Sequence, residues 1–182
     1  MLSKWLAKQT PRRVMPPPVP HGKVRILFVC MGNICRSPTA VGVMRKFLQK
    51  AGLQHLVAVD SAGTHDYCIG EPPDPQAQAA ASRRGYDLAA LRARQLVPTD
   101  FESFDLLLAM DRNNLALLQC MCPHQHRAKI RLLMTYALES PLPVIPDPYG
   151  RDHEDFETAL DYIEDACNGL VSALAHRNSI PR

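Results

Sequence analysis

Short continuous apolar runs alternate along this chain with longer segments in which apolar residues recur every three or four positions. The first run, 24–29, predicts a buried strand, and it leads directly into Cys30. A helix is predicted over 38–51, with Met44, Phe47, Leu48 and Ala51 on one face and Gly52 ending it. A second strand follows over 56–60. Residues 65–75, with Gly70, Pro72, Pro73 and Pro75, form a loop, and Asp74 caps an alanine-rich helix that ends near Gly85. The apolar run 104–110 is a third strand, Asp111 caps a helix over 112–121, and 129–134 is the fourth strand. In the last helix, 153–176, Phe156, Leu160, Ile163, Cys167, Leu170, Val171 and Leu174 lie along one stripe. The alternation predicts an α/β fold: a single domain with a four-stranded parallel sheet and helices on both faces. No internal repeat or second domain is evident.

In such folds ligands bind at the carboxyl ends of the strands, where Cys30 stands. Residues 30–38 read Cys-Met-Gly-Asn-Ile-Cys-Arg-Ser-Pro. A loop joining a strand to a helix N-terminus gathers backbone N–H groups and favours negative charge, so a phosphate-binding loop is expected after the first strand. Gly32 and Asn33 tolerate left-handed turns, and Ser37-Pro38 reads as an N-cap followed by proline at the first helical position. A cysteine ending a core strand is commonly a small hydrophobe. Here it opens an anion loop whose far end carries Arg36, a planar fork suited to two phosphate oxygens. The chemistry expected is attack by the Cys30 thiolate on a bound phosphoryl group. A departing oxygen then needs a proton. Asp147, between Pro146 and Pro148 on a stiff loop, can supply it, although Asp-Pro is also a common turn.

Charge and composition narrow the class. The formal charge is +3, with 21 basic and 18 acidic residues. Residues 1–25 hold Lys4, Lys8, Arg12, Arg13, Lys23 and Arg25 and no acid, which leaves 15 basic against 18 acidic residues elsewhere. The globular part thus lacks the basic stripe of a nucleic-acid binder. No run reaches the ~18 apolar residues of a membrane span, so stable membrane insertion is not expected. Residues 1–22, with Pro16, Pro17, Pro18 and Pro20, read as a flexible basic, proline-rich extension. Residues 23–177 are the expected catalytic domain, and 178–182 a tail. Six scattered cysteines without an export signal point to reduced thiols and a cytoplasmic location.

The loop at 30–38, with Ser61-Ala62-Gly63-Thr64, Ala93-Arg94-Gln95, Ala109-Met110-Asp111 and Asp147-Pro148-Tyr149, resembles the low-molecular-weight protein tyrosine phosphatases in order and spacing. The resemblance spans about residues 24–175. It implies Cys30 as nucleophile through a phosphocysteine intermediate, Arg36 as phosphate clamp, and Asp147 as general acid and later base. Ser37 would bond the Cys30 sulfur, and Asn33, helped by Ser61, would hold the loop. Met31, Gly32, Ile34 and Cys35 complete the phosphate cradle, and Tyr67 and Tyr149 wall the substrate ring. No cofactor and no metal are implied. The implied substrate is a phosphotyrosine-containing protein, with a tyrosine kinase as counterpart. Relatives also imply a reversible Cys30–Cys35 disulfide; alternatively, Cys35 is a small buried filler.

Departures from the family are Val41 in place of a common glutamate, Leu91 in place of a histidine in the asparagine network, and a single tyrosine after Pro148. The segment Cys120-Met-Cys122-Pro-His124-Gln-His126 looks like a metal cluster, but its cysteine spacing is shorter than usual for zinc. The remaining histidines, His21, His55, His65, His153 and His176, read as surface residues. Arsenate reductase is a rival on the same fold, disfavoured by Asp147-Pro148-Tyr149. A protein-arginine phosphatase is a second, disfavoured by Ile34, where its members carry threonine. A non-catalytic phosphate-binding signalling module is a third, disfavoured by the intact Cys30, Arg36 and Asp147.

Overall fold

Strand β1 (Val24–Cys30) lies inside the sheet, with β2 (Val57–Gly63) on one side and β3 (Leu106–Ala109) on the other. Strand β4 (Ile130–Leu132) completes the order β2-β1-β3-β4, and every pairing is parallel. The computed structural model describes residues 23–178. The readings of 1–22 as an extension and of 178–182 as a tail lie outside the described residues, as does His21, except that Asn178 belongs to the last helix rather than to a tail.

Alternation along β1 sorts its side chains onto two cores. Ile26 and Phe28 join Leu106 and Leu108 on the face covered by α1 (Arg36–Lys50), α2 (Pro75–Arg83) and α5 (His153–Asn178). Leu27 and Val29 join Leu107 and Ala109 on the face covered by α4 (Arg112–Met121), through Leu118. These β1 residues are fully buried, which explains an unbroken apolar run rather than an alternating one. The seven apolar residues of the α5 stripe are all buried, at 8% exposure or less. At ~1.5–3 kcal/mol for each fully buried large side chain, they hold that helix on the sheet.

Several predicted boundaries move. β2 runs on to Gly63, because Cys30 pairs with it at the end of the ladder. A Cβ on Gly63 would lie 2.7 Å from the Met31 carbonyl oxygen, so only glycine allows this strand end to touch the loop. β3 is shorter than 104–110, since Asp100–Ser103 forms a one-turn helix, α3, that ends at Phe104. β4 stops at Leu132, and Leu133–Tyr136 coils into a 3-10 turn that buries Leu133, Met134 and Tyr136. Gly169 of α5 admits that turn, because any Cβ there would collide with the Tyr136 carbonyl. Burial against α5 outweighs strand propensity here.

Helix caps follow the sequence more closely. Asp74 accepts from the N–H groups of Gln76 and Ala77, and Asp111 accepts from that of Asn114. Gly52, at φ 70°, ends α1 as expected, but Ala51 is exposed rather than on the buried face. The start of α1 is also corrected. It begins at Arg36 with Cys35 as N-cap, so Ser37 lies inside the first turn. Ser37 is fully buried, and its hydroxyl faces Cys30 rather than capping the helix.

Candidate active site

The loop 31–35 turns sharply enough to require a left-handed residue, and Asn33 takes that place at φ 58°. Its surroundings hold it there. Asn33 Nδ2 donates to Ser37 Oγ at 2.9 Å, and Asn33 Oδ1 accepts from the Arg94 backbone N–H at 2.9 Å. The expected help from Ser61 is not seen: Ser61 is buried on β2 and makes no hydrogen bond to Asn33 among the described residues. With Leu91 packed on the core, the asparagine network closes through the backbone of Arg94.

The loop's carbonyls are taken by the segment after β2. Thr64 N–H donates to the Cys30 carbonyl, His65 N–H to that of Met31, and Asp74 N–H to that of Ile34, at 2.8 to 3.0 Å. Asn33 N–H donates to Cys30 Sγ at 3.3 Å. The other loop amides, of residues 31, 32, 34 and 35, have no acceptor among the described residues. Unfilled N–H groups collected at a helix N-terminus are the donors an oxyanion needs.

Cys30 Sγ sits at the foot of this loop, buried, 3.0 Å from Ser37 Oγ. Cys35 is also buried. Burial pushes its thiol well above the ordinary range, reinforced by the charges of Asp74, Cys30 and Asp147 and opposed by Arg36.

Arg36 is 2% exposed and its three nitrogens are treated differently. Nη1 donates to Asp111 Oδ2 at 2.7 Å and to the Ile145 carbonyl at 3.2 Å. Nη2 donates to Asp147 Oδ2 at 2.6 Å. Nε is buried with no partner. One edge of the guanidinium is thus bolted to the protein, and the other carries a spare donor beside a replaceable carboxylate. Leaving a buried charged donor unfilled costs on the order of 1–3 kcal/mol, a cost that an incoming anion removes.

Asp147 reaches this place because Ile145, fully buried, donates its N–H to the Met110 carbonyl at the end of β3. Two prolines then stiffen the segment, and Gly150 at φ 73° turns it away. The Asp147 side chain remains 42% exposed. A cleft of about 140 Å³ joins these groups and is lined by Cys30, Met31, Gly32, Ile34, Cys35, Arg36, Tyr67, Asp147 and Tyr149. Tyr67 and Tyr149 stand at its mouth, 76% and 65% exposed.

The sequence missed four contributors. Cys68 also lines the cleft, its Sγ close over Gly32. Asp111 was expected only as a cap, yet its second oxygen holds Arg36. Arg94, within Ala93-Arg94-Gln95, carries no chemical signal in the sequence. His65 is not a simple surface residue: its ring stacks on Tyr67 with centroids 5.2 Å apart, and its Nδ1 lies 2.9 Å from Thr64 Oγ1. The Cys120–His126 segment lies away from the cleft. Cys122 is buried with its thiol donating to the Pro123 carbonyl, and no group of three potential metal ligands is found among the described residues. No described helix is long and apolar enough to cross a membrane.

Known proteins resemble this chain over most of its length. A low molecular weight protein-tyrosine-phosphatase of Streptomyces coelicolor is 41% identical over 153 residues, covering 82% of this chain and 93% of its own length. The human low molecular weight phosphotyrosine protein phosphatase is 39% identical over 148 residues, covering 80% and 92%. A crystal structure of the Entamoeba histolytica protein tyrosine phosphatase, with Hepes in its active site, superposes with a TM-score of 0.83 at 36% identity. It covers 86% of this chain and 99% of that one. The family model for low molecular weight phosphotyrosine protein phosphatase matches residues 25–179, so the chain belongs to that family of hydrolases.

Proposed function

We propose that this protein hydrolyses phosphotyrosine in proteins through a phosphocysteine on Cys30. The observation that carries the reading is a buried Cys30 sulfur at the foot of a loop of unfilled amides. Beside it stand the spare Nε of Arg36 and the Asp147 carboxylate. The phosphoryl group would settle on the loop amides and on Nε and Nη2 of Arg36, displacing Asp147 from Nη2, and the freed carboxylate would take up a proton from solvent. Cys30 Sγ then attacks phosphorus in line, the bond from phosphorus to the tyrosine oxygen breaks, and Asp147 protonates that oxygen. In the second step Asp147 takes a proton from water, the water oxygen attacks phosphorus, and the sulfur leaves. Ser37 Oγ donates to the departing sulfur, and Asn33 keeps the loop in shape.

Tyr67 and Tyr149, at the mouth of the cleft, would form the walls for the tyrosyl ring. The loop supplies charge neutralisation without a metal. Six free thiols suit a reducing cytoplasm, where a tyrosine kinase would be the opposing activity. Cys35, lining the same cleft, is the partner for a reversible disulfide with Cys30 after oxidation.

Steady-state hydrolysis of matched phosphotyrosine, phosphoserine and phosphoarginine peptides in excess chelator tests the reading. Turnover of the phosphotyrosine peptide alone, undiminished by chelator, is expected. Preference for phosphoarginine, or a requirement for added metal, would overturn it.

A further inference from the structure

Arg94 belongs to none of the groups that touch the cleft, yet it carries a dense set of contacts. Its Nε and Nη2 donate to Asp60 Oδ2 at 3.1 and 2.9 Å. Its Nη1 and Nη2 donate to the two oxygens of Asp100 at 3.0 and 3.2 Å. Asp100 is itself buried and also accepts from Val97 N–H, which ties the segment that follows Arg94 to α3. The Arg94 carbonyl accepts from Gly63 N–H, and Leu96 N–H donates to the Gly63 carbonyl, so residues 94–96 add a short parallel bridge beside the end of β2. Burial works to lower the Arg94 pKa, but the two carboxylates outweigh it and the guanidinium stays charged.

All of this fixes one backbone N–H, the one that donates to Asn33 Oδ1. Asn33 is the one non-glycine residue at positive φ among the described residues, and its other contacts lead to Ser37 Oγ and Cys30 Sγ. We propose that Arg94 is a positioning residue for the nucleophile. Clamped between Asp60 and Asp100, it sets the N–H that holds Asn33 left-handed and so keeps Cys30 aimed at the bound phosphoryl group. The inference rests on the phosphatase reading for its kinetic consequence, though not for its geometric one. The side chain acts two steps from the sulfur, through its own backbone, so its loss loosens the loop without removing any group that binds phosphate.

The test compares Arg94→Ala, Arg94→Lys and Asp60→Asn with a control, Arg83→Ala, which breaks an exposed ion pair with Glu157 remote from the loop. Two readouts are taken: kcat and KM on p-nitrophenyl phosphate, and the rate at which iodoacetate alkylates Cys30. Arg94→Ala should lower kcat roughly three- to tenfold, the range of one weakened hydrogen bond, with KM within about twofold of the parent. Lysine cannot span both carboxylates and should rescue little. Cys30 alkylation should change in Arg94→Ala and stay at the parent rate in Arg83→Ala. If Arg94→Ala does not fold, Asp60→Asn decides, with an expected loss in kcat of about two- to fivefold. Parent values of kcat and alkylation in a folded Arg94 or Asp60 variant would overturn the proposal. Absence of turnover in the parent would instead overturn the phosphatase reading, and the alkylation rates would still judge Arg94.

Discussion

Arg84, at the C-terminal end of α2, and Arg36, at the start of α1, each collect carboxylates at hydrogen-bond distance. Arg84 donates to Glu157 at 2.6 and 3.1 Å, to Asp161 at 2.6 Å and to Glu164 at 2.9 Å, using all three nitrogens. Its side chain is 28% exposed, and the cluster fastens α2 to α5. Arg36 also holds two carboxylates, but it is nearly fully buried and keeps Nε unpartnered. Identical chemistry therefore serves two ends. A saturated, half-exposed cluster is a fastening, whereas a buried one with a donor to spare is a binding site.

If the comparison holds, the largest effect belongs to the replaceable carboxylate. Asp147→Asn keeps the shape but cannot donate the proton, so kcat on phosphotyrosine should fall by ~10²–10⁴-fold. The loss on esters with very acidic leaving groups should be far smaller. An equal loss on all leaving groups would make Asp147 structural, like the partners of Arg84. Next, Arg36→Ala should lower kcat/KM by roughly 10²–10³-fold and weaken inhibition by inorganic phosphate. Arg84→Ala should leave both within about twofold, since its donors face no ligand; comparable losses in the two variants would collapse the distinction.

A third experiment uses the two loop thiols. Peroxide should inactivate the parent reversibly, with a Cys30–Cys35 disulfide found by peptide mapping, while Cys35→Ser should recover little activity after reductant. Equal recovery would return Cys35 to the role of filler. The smallest effect is on stability. Burial works to raise the Glu157 pKa, but its bonds to Arg83 and Arg84 prevail and the carboxyl lies below its ordinary 4.5. Its contribution is therefore fully present above pH 4.5 and lost as pH falls through the lower folded value. Glu157→Gln should cost about 1 kcal/mol or less at pH 7, and that difference should shrink in acid. Urea midpoints at pH 7 and pH 3 check it.

The same contrast explains what the sequence disclosed. Apolar periodicity located all four strands and the five-turn stripe of α5, because burial on both faces leaves an unbroken signal. The candidate nucleophile and clamp, Cys30 and Arg36, were legible because phosphoryl chemistry dictates their residue types, whereas Asp147 read equally as a turn and gained its role as acid only from the family resemblance. Arg94 and Asp111 were not, since their work passes through backbone and neighbouring side chains brought together only by the sheet. Ser37 divides the two sources: a serine before proline reads locally as a cap, which it is not, while the family resemblance implied the contact with the Cys30 sulfur that is seen. The 3-10 turn at Leu133–Tyr136 was hidden for a related reason, its apolar residues being claimed by α5 rather than by a longer strand.

Covalent catalysis at Cys30 requires a bond between sulfur and phosphorus. Rapid quenching of the Asp147→Asn variant during turnover of an aryl phosphate, followed by mass mapping, looks for it directly. A single phosphoryl group on the peptide holding Cys30, absent from Cys30→Ser and lost on further incubation in water, is the result expected. Turnover without any phosphorylated cysteine, or with the phosphoryl group on another residue, would contradict it.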